Sequence, residues 1–240
     1  MSEHLLTLAD GAQIPYLLER RPRRTVGMRI GAQGLVVHAP TRLSLSHLET
    51  LLLGKAQWIL NKLQLHATHA VAPFQWRDGD NLLWLGNEML LSVRHDSRSR
   101  AIMHEPGQLH VALPTPHDAA TVSRKVLLWY RKQAQADFSR RLQILAARLG
   151  VDTPPLYLSN ARSRWGSCNS RGEIRINWRL IQAPPHIINY VICHELAHLK
   201  EMNHSARFWA VVAQLHPDYK RAEQELKALS ARLHQLDIHS

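Results

Sequence analysis

The stretch CHELAHLKEMNHSARFW, residues 193–209, sets three histidines and a glutamate among residues that otherwise favour a helix. Upstream, Pro184 and Pro185 suit the first turn of such a helix. Ile187, Ile188, Val191, Ile192, Leu196 and Leu199 then recur at helical spacing, so a helix is expected over residues 186–201. His194 and His198, four apart, project from one side of it, one turn apart. Their ring nitrogens can share an ion at about 2.0–2.1 Å from each. Glu195 stands beside the pair and can reach a water at the ion without becoming a ligand, as a general base must. The surroundings are apolar, and burying two imidazoles and a carboxylate without a partner is costly. A metal supplies the partner.

His204 lies six residues beyond His198, which on a continuous helix would turn it about 240° away. It can ligate only where the helix stops between them. Asn203 tolerates the left-handed conformation that ends helices and offers that stop. Ser205 can then cap a second helix, ARFWAVVAQL. The expected ligand set is His194, His198 and His204 with an open fourth position, the stoichiometry of a catalytic zinc site. His216, Glu201 and Asp218 are the alternative third ligands. The same spacing occurs in metzincins, but their turn glycine is Glu201 here and no methionine follows Met202, so the chain is not a metzincin.

The chain has 240 residues, 45% of them hydrophobic, enough for one sizeable core or two modest ones. Its formal charge of +11 favours polyanionic partners, nucleic acid among them, although a basic face is more often simply solvated. Cys168 and Cys193 make no disulfide framework. The N-terminus lacks the basic and apolar regions of a secretory signal, and no run is long enough to cross a bilayer. The expected setting is the cytoplasm, with no membrane association.

Around this centre the pattern is α+β. VGMRIGAQGLVVHAP, LLWLGNEMLLSV and AIMHEPGQLHVAL read as hairpins turning at Gly31–Gly34, Gly86–Asn87 and Pro106–Gly107. HLETLLLGKAQWILNKLQLH reads as one amphipathic helix capped by Ser44 or Ser46. Residues 119–149 form a long helix with Val126, Leu127, Trp129, Tyr130, Phe138, Leu142, Leu145 and Leu149 on its apolar side, ended by Gly150. PLYLSN and EIRINWRL read as strands, and a last helix runs from about Asp218 to Leu236. No longer internal repeat is evident. The expected division is a β-rich part with one helix over 1–115 and a helical part with a small sheet over 116–240.

RWGSCNSRGEIRINWRL, YVICHELAHLKEMNHSARFW and HPDYK together closely resemble the YgjP-like family of zinc metallohydrolases, relatives of the SprT and Spartan proteases. RRTVGMRIGAQGLVVHAP, the helix with AQWI, and DGDNLLWLG extend the resemblance over roughly residues 14–235. The resemblance implies a zincin-like minimal metallopeptidase fold with an active-site helix, an edge strand and a following helix. It implies zinc on His194, His198 and His204, Glu195 as the base, and Trp165, Gly166, Ser167 and Cys168 bordering the cleft. An edge there could receive a peptide by strand addition. Arg164, His186, Tyr190 and Tyr219 are candidates for steadying an oxyanion, unranked by sequence, and Arg164 joins Trp165, Gly166 and Ser167 as a substrate-binding candidate. Cys193, Phe208 and Trp209 read as packing residues. The expected activity is a zinc metallopeptidase working near nucleic acid. The alternatives are a zinc-dependent nucleotide pyrophosphatase and a nucleic-acid-binding module with structural zinc.

Overall fold

Alternating apolar residues build the first sheet. Ile14, Tyr16 and Leu18 are buried on β2 (Gln13–Arg21). They face Leu6 of β1 (Ser2–Thr7) on one side and Leu35 and Val37 of β4 (Gly34–Pro40) on the other. With β3 (Gly27–Gly31) the order is β1-β2-β4-β3: two antiparallel hairpins joined by a parallel β2–β4 pair. Leu48 and Leu52 of α1 (Leu45–Leu53) and Ile59 of α2 (Ala56–Thr68) join this core. The single helix expected here is therefore two. The break falls at Gly54, which weakens a helix interior by about 1 kcal/mol. Ser44 is the cap, accepting from the His47 N–H. The β1–β2 hairpin was not among the expected elements.

The computed structural model describes residues 1–31, 34–68, 74–96, 102–114 and 118–236. It divides into two compact units, Met1–Ala70 and Val71–Ser240. The boundary expected between 115 and 116 lies outside the described residues. No helix among the described residues is long and apolar enough to cross a membrane.

The second unit begins with the same device. β5 (Asn81–Trp84), β6 (Asn87–His95), β7 (Ile102–Glu105) and β8 (Gln108–Leu113) run in the order β5-β6-β8-β7, again two hairpins joined by a parallel central pair. A helix again follows, here α3 (Ala119–Leu149), whose first turn is capped by the Asp118 carboxylate and whose end is the left-handed Gly150. The two sheets are thus one topology used twice, although the sequence shows no matching repeat. What recurs is the alternation of buried residues, which many sequences satisfy.

The fold then serves the helix that carries the motif. A three-stranded sheet, β10-β11-β9, forms from β9 (Leu156–Ser159), β10 (Gly166–Cys168) and β11 (Ile174–Asn177). A 3₁₀ helix, Trp178–Gln182, leads into α4 (Pro185–Ala197), followed by α5 (Ala206–Leu215) and α6 (Tyr219–Leu233). The β5–β6 turn holds the lead-in segment. Leu85 N–H donates to Ile181 O at 3.1 Å and Gly86 N–H to Gln182 O at 2.9 Å. Both turn residues have positive φ, 49° and 86°. A side chain at Gly86 would lie 2.8 Å from Pro184, the residue that opens α4. Tyr130 of α3 fastens the same hairpin by donating its buried hydroxyl to Leu83 O at 2.7 Å.

Gly86 and Gly107 both have positive φ, but a Cβ at Gly107 meets nothing within 4 Å. Gly107→Ala is expected to cost about 1 kcal/mol, the backbone penalty alone. Gly86→Ala should cost about 1–3 kcal/mol more, because the new methyl must displace Pro184. Urea transitions followed by tryptophan fluorescence test the difference, since all tryptophans except Trp58 lie in the second unit. Equal costs would contradict a clamp at Gly86.

Candidate metal centre

The helix carrying the motif is shorter than its apolar pattern indicates. α4 ends at Ala197 with His198 as its C-cap, and the chain turns by bonds from Leu199 N–H to Leu196 O and from Lys200 N–H to Ala197 O. Asn203 does not take the left-handed conformation expected of it. Among the described residues other than glycine, only Trp76 and Leu85 have positive φ. Tightening of the last turn by i→i+3 bonds ends the helix instead. The consequence is the one the spacing requires: the chain reverses before His204, and Ser205 caps α5 by accepting from Phe208 N–H at 3.3 Å.

His194, His198 and His204 come together, each with a ring nitrogen within 4.8 Å of the others. The Nε2 atoms of His194 and His204 are 3.0 Å apart. At that separation two lone pairs repel, so either a proton or a cation must lie between the rings. Burial, helped by His198 and His204, pushes His194 down to about 4 and leaves it a neutral ligand near pH 7. His198 is also lowered, chiefly by burial. Its Nδ1–H donates to Glu201 O at 3.2 Å, which leaves Nε2 as the free lone pair. Three convergent imidazoles, two of them lowered by burial, fit a divalent cation of the zinc type.

The alternative third ligands lie elsewhere. His216 donates from Nε2 to His186 O at 3.0 Å, and it and Asp218 line a separate cavity of about 480 Å³ with His186, Asn189 and Arg221. Glu201 offers the triad its carbonyl oxygen, as the acceptor that orients His198.

Glu195 is 4% exposed. Burial pushes its carboxyl up to about 8, with Arg164 pulling the other way. Its neighbour is the backbone of Gly166: a Cβ there would lie 2.4 Å from Oε1. A side chain at 166 would therefore force the Glu195 carboxylate or the strand to shift. WGSC, expected to border the cleft as an edge, contains a strand, β10. β10 pairs only with β11 among the described residues, antiparallel. Bonds from Asn169 N–H to Glu173 O and from Asn177 N–H to Trp165 O flank the ladder. By antiparallel alternation the backbone groups of Gly166 and Cys168 then face the open edge.

The remaining candidates are distributed around this edge. Arg164 is exposed on the loop before β10. The Trp165 ring rests 4.8 Å from His234. Ser167 sits opposite Arg175, with its side chain on the face away from Gly166 and Cys168. Cys168 is half-buried, its thiol raised by burial and by the charge of Glu195, and it is not among the metal-ligating group. Tyr190 is buried beside His194 at 6.1 Å between ring centroids, and His186 pairs with Glu225 at 2.6 Å.

Sequence reasoning missed the residues that brace the triad. Phe208, fully buried, lies 4.9, 4.6 and 4.6 Å from the rings of His194, His198 and His204. Trp209 stacks on His204 at 5.9 Å and on Tyr219 at 5.2 Å. They do pack α5, as expected, but against imidazoles rather than against aliphatic core. The charge of Glu223, on α6, is felt at His194 and Tyr190. Phe208 lies on the first turn of the helix that begins two residues past His204, which is the one signal the sequence held.

A family model described as YgjP-like, metallopeptidase domain, matches residues 24–229. The chain belongs to the YgjP-like family. It is 28% identical over 122 residues to the UTP pyrophosphatase of Escherichia coli strain K12, a match covering 46% of this chain and 69% of that protein. Among solved structures it is similar to the metallopeptidase zymogen abylysin of Pyrococcus abyssi, with 23% identity, a TM-score of 0.36, and coverage of 38% of this chain and 92% of that one. The jannalysin zymogen of Methanocaldococcus jannaschii shows 18% identity, a TM-score of 0.34, and coverage of 38% and 93%. Family membership makes the chain a hydrolytic enzyme with a divalent-metal site.

Two consequences can be measured. The folded carboxyl of Glu195 titrates above its ordinary value, so the folded chain holds a proton that the unfolded chain releases. Stability therefore falls as pH rises through the window from 4.5 to about 8. In metal-free protein, Glu195→Gln should melt several degrees above the unsubstituted chain at about pH 9 and close to it at about pH 5. A difference independent of pH would contradict this. Gly166→Ala should leave the metal bound and the fold intact while lowering hydrolysis at least about tenfold, because the methyl must displace Glu195 or β10.

Proposed function

We propose that the chain is a zinc-dependent metallopeptidase in which His194, His198 and His204 hold the metal and Glu195 is the general base. The observation that carries this reading is the placement of the Glu195 carboxylate against the backbone of the open-edge strand at Gly166. An extended peptide that pairs with the outward backbone groups of Gly166 and Cys168 would bring its own amides beside Glu195 and the triad. Zinc, when bound, supplies a Lewis acid that acidifies water and polarises a carbonyl.

The chain's own residues do the rest. Glu195, pushed up to about 8 by burial when no metal is bound, would be ionised beside a bound cation, and could then take a proton from the attacking water and return it to the leaving amine. The Nδ1–H bond of His198 to Glu201 O fixes that ring's tautomer. Phe208 and Trp209 keep the three imidazoles from turning. Tyr190, buried beside His194, and Arg164, on the loop at the cleft, remain the nearest candidates for steadying an oxyanion.

A second reading, hydrolysis of a nucleoside triphosphate between its phosphates, is favoured by the UTP pyrophosphatase relative. The same base can direct water at phosphorus.

One experiment serves both. Zinc content and hydrolysis are measured for the unsubstituted chain, Glu195→Gln and His204→Ala against a peptide library and against UTP. Glu195→Gln should keep its zinc and lose about 10²–10⁴ in rate. His204→Ala should lose the zinc. Pyrophosphate release from UTP with no peptide cleaved would transfer the assignment to the second reading, and full activity in Glu195→Gln would overturn the mechanism for either.

A further inference from the structure

Apart from the metal centre, α3, α4, α5 and α6 converge on the cavity of about 480 Å³ whose wall includes His186, His216 and Asp218. A space of that size suits a small organic ligand, since such sites hold roughly 300–1,000 Å³. Its floor is apolar: Leu145, Leu215 and Ala222 line it and are buried. Its rim is charged. Arg148 and Arg221 are exposed there, and Asp218 is the one acid of the lining. None of the triad histidines belongs to the wall. Tyr190 is the buried neighbour that the two places share, its ring 6.1 Å from that of His194 and 6.2 Å from that of His216.

The polar groups of this wall are oriented but not used up. Arg141 Nη1–H donates to Asn189 Oδ1 at 2.9 Å, and Asp137 holds Arg141 in turn. A guanidinium only donates, so the amide oxygen is the atom that faces Arg141, and Nδ2 is left on the other side. Asn189 lines the cavity and Arg141 does not, so the Nδ2 donors are directed at the cavity. Among the described residues no bond engages them. Arg148 rests Nη2 on the carbonyl of Leu215, another lining residue, at 3.5 Å, which lays its guanidinium along the wall with further donors to spare. Arg221 spends Nε on Glu225, whose other oxygen lies 2.6 Å from His186 Nε2, so that carboxylate is satisfied within the protein. An amide and a guanidinium that offer donors beside an apolar floor match an oxyanion carried on an apolar body.

We propose that this cavity is a second binding site, for a small organic anion: a carboxylate or phosphate held by Arg148 and Asn189 Nδ2, with its apolar body on Leu145, Leu215 and Ala222. Carboxylate and phosphate share the chemistry that the wall recognises, which is oxygen acceptors for N–H donors. The site uses no residue of the triad, and it stands whether the metal centre cuts peptides or phosphoanhydrides.

Binding is read by calorimetry on the zinc-loaded full chain, so hydrolysis plays no part in the outcome. N-acetyl-leucine and phenyl phosphate each carry one kind of anionic head on an apolar body. N-acetyl-leucinamide has the body without the charge, and inorganic phosphate has the charge without the body. At least one of the first two should bind about tenfold or more tighter than both comparison compounds. Asn189→Asp keeps an oxygen for Arg141 but turns a carboxylate oxygen toward the ligand, and should weaken that probe by about tenfold or more. Arg148→Gln should weaken it by about fivefold or more. Arg171→Gln, an equal change of charge at the exposed turn after β10, should leave it within about twofold. Preference for N-acetyl-leucine identifies carboxylate as the recognised head, and preference for phenyl phosphate identifies phosphate. The proposal is overturned if neither anionic probe binds tighter than the comparison compounds. It is also overturned if Asn189→Asp or Arg148→Gln binds the probe as the unsubstituted chain does, which would put the anion outside this cavity. Equal weakening by Arg148→Gln and Arg171→Gln would overturn it too, leaving net charge as the only cause. Should Asn189→Asp not fold, the comparison of Arg148→Gln with Arg171→Gln decides alone.

Discussion

A carboxylate held out of water, one residue from an imidazole that must also stay neutral, is the constraint around which the second unit is organised. Neither group would choose this environment. Glu195 is 4% exposed and resists ionisation, and His194 is driven toward the neutral state by the same burial. The surroundings answer each need separately. Gly166 brings a strand backbone, rather than a side chain, against the carboxylate. Phe208 offers one ring to three imidazoles, so that the triad is oriented by apolar packing, while one backbone carbonyl, that of Glu201, orients His198. A divalent cation resolves the remaining conflict, the close approach of two ring nitrogens at 3.0 Å.

The β-rich segment of the second unit contributes to this site without touching its chemistry. The turn at Leu85–Gly86 bonds the two carbonyls that precede α4, and its glycine fits under Pro184 where no side chain could. Leu85 accepts a positive φ to make this possible, a conformation that costs a non-glycine residue about 1 kcal/mol or more and persists only where neighbours enforce it. The β1-β2-β4-β3 sheet of the first unit repeats the topology of β5-β6-β8-β7, including the parallel pair between two hairpins. The turn of its first hairpin, around Asp10–Gly11, is exposed. The same architecture therefore holds the helix that carries the histidine motif in one copy and forms a self-contained sheet-and-helix unit in the other.

Much of this was legible from residue order. Hairpins at Gly31–Gly34, Gly86–Asn87 and Pro106–Gly107 stand where glycine and proline interrupt alternating runs, and α3 runs from Ala119 to Leu149 as its periodicity and the Gly150 stop require. What failed were places where two local tendencies compete. LLLGKAQW carries apolar residues in helical register on both sides of Gly54, so the pattern continues although the helix does not. The α4 pattern likewise runs on through Leu199, but the chain leaves the helix at His198 because a tightened turn, not a left-handed asparagine, satisfies the last carbonyls. GSC is too short to announce itself as a strand, and becomes one because β11 offers it a partner.

Sequence alone determined the chemistry available. Two histidines four apart on a helix, a glutamate between them, and a third histidine beyond a break bring three imidazoles together with a carboxyl beside them, because helical geometry converts spacing into direction. Only the tertiary structure decided what surrounds them. That Gly166 approaches Glu195, that Phe208 touches every ligand ring, and that Asn177 pins the loop carrying Arg164 are contacts between segments separated by up to 29 residues. Such contacts depend on how whole elements pack, and no local propensity encodes them.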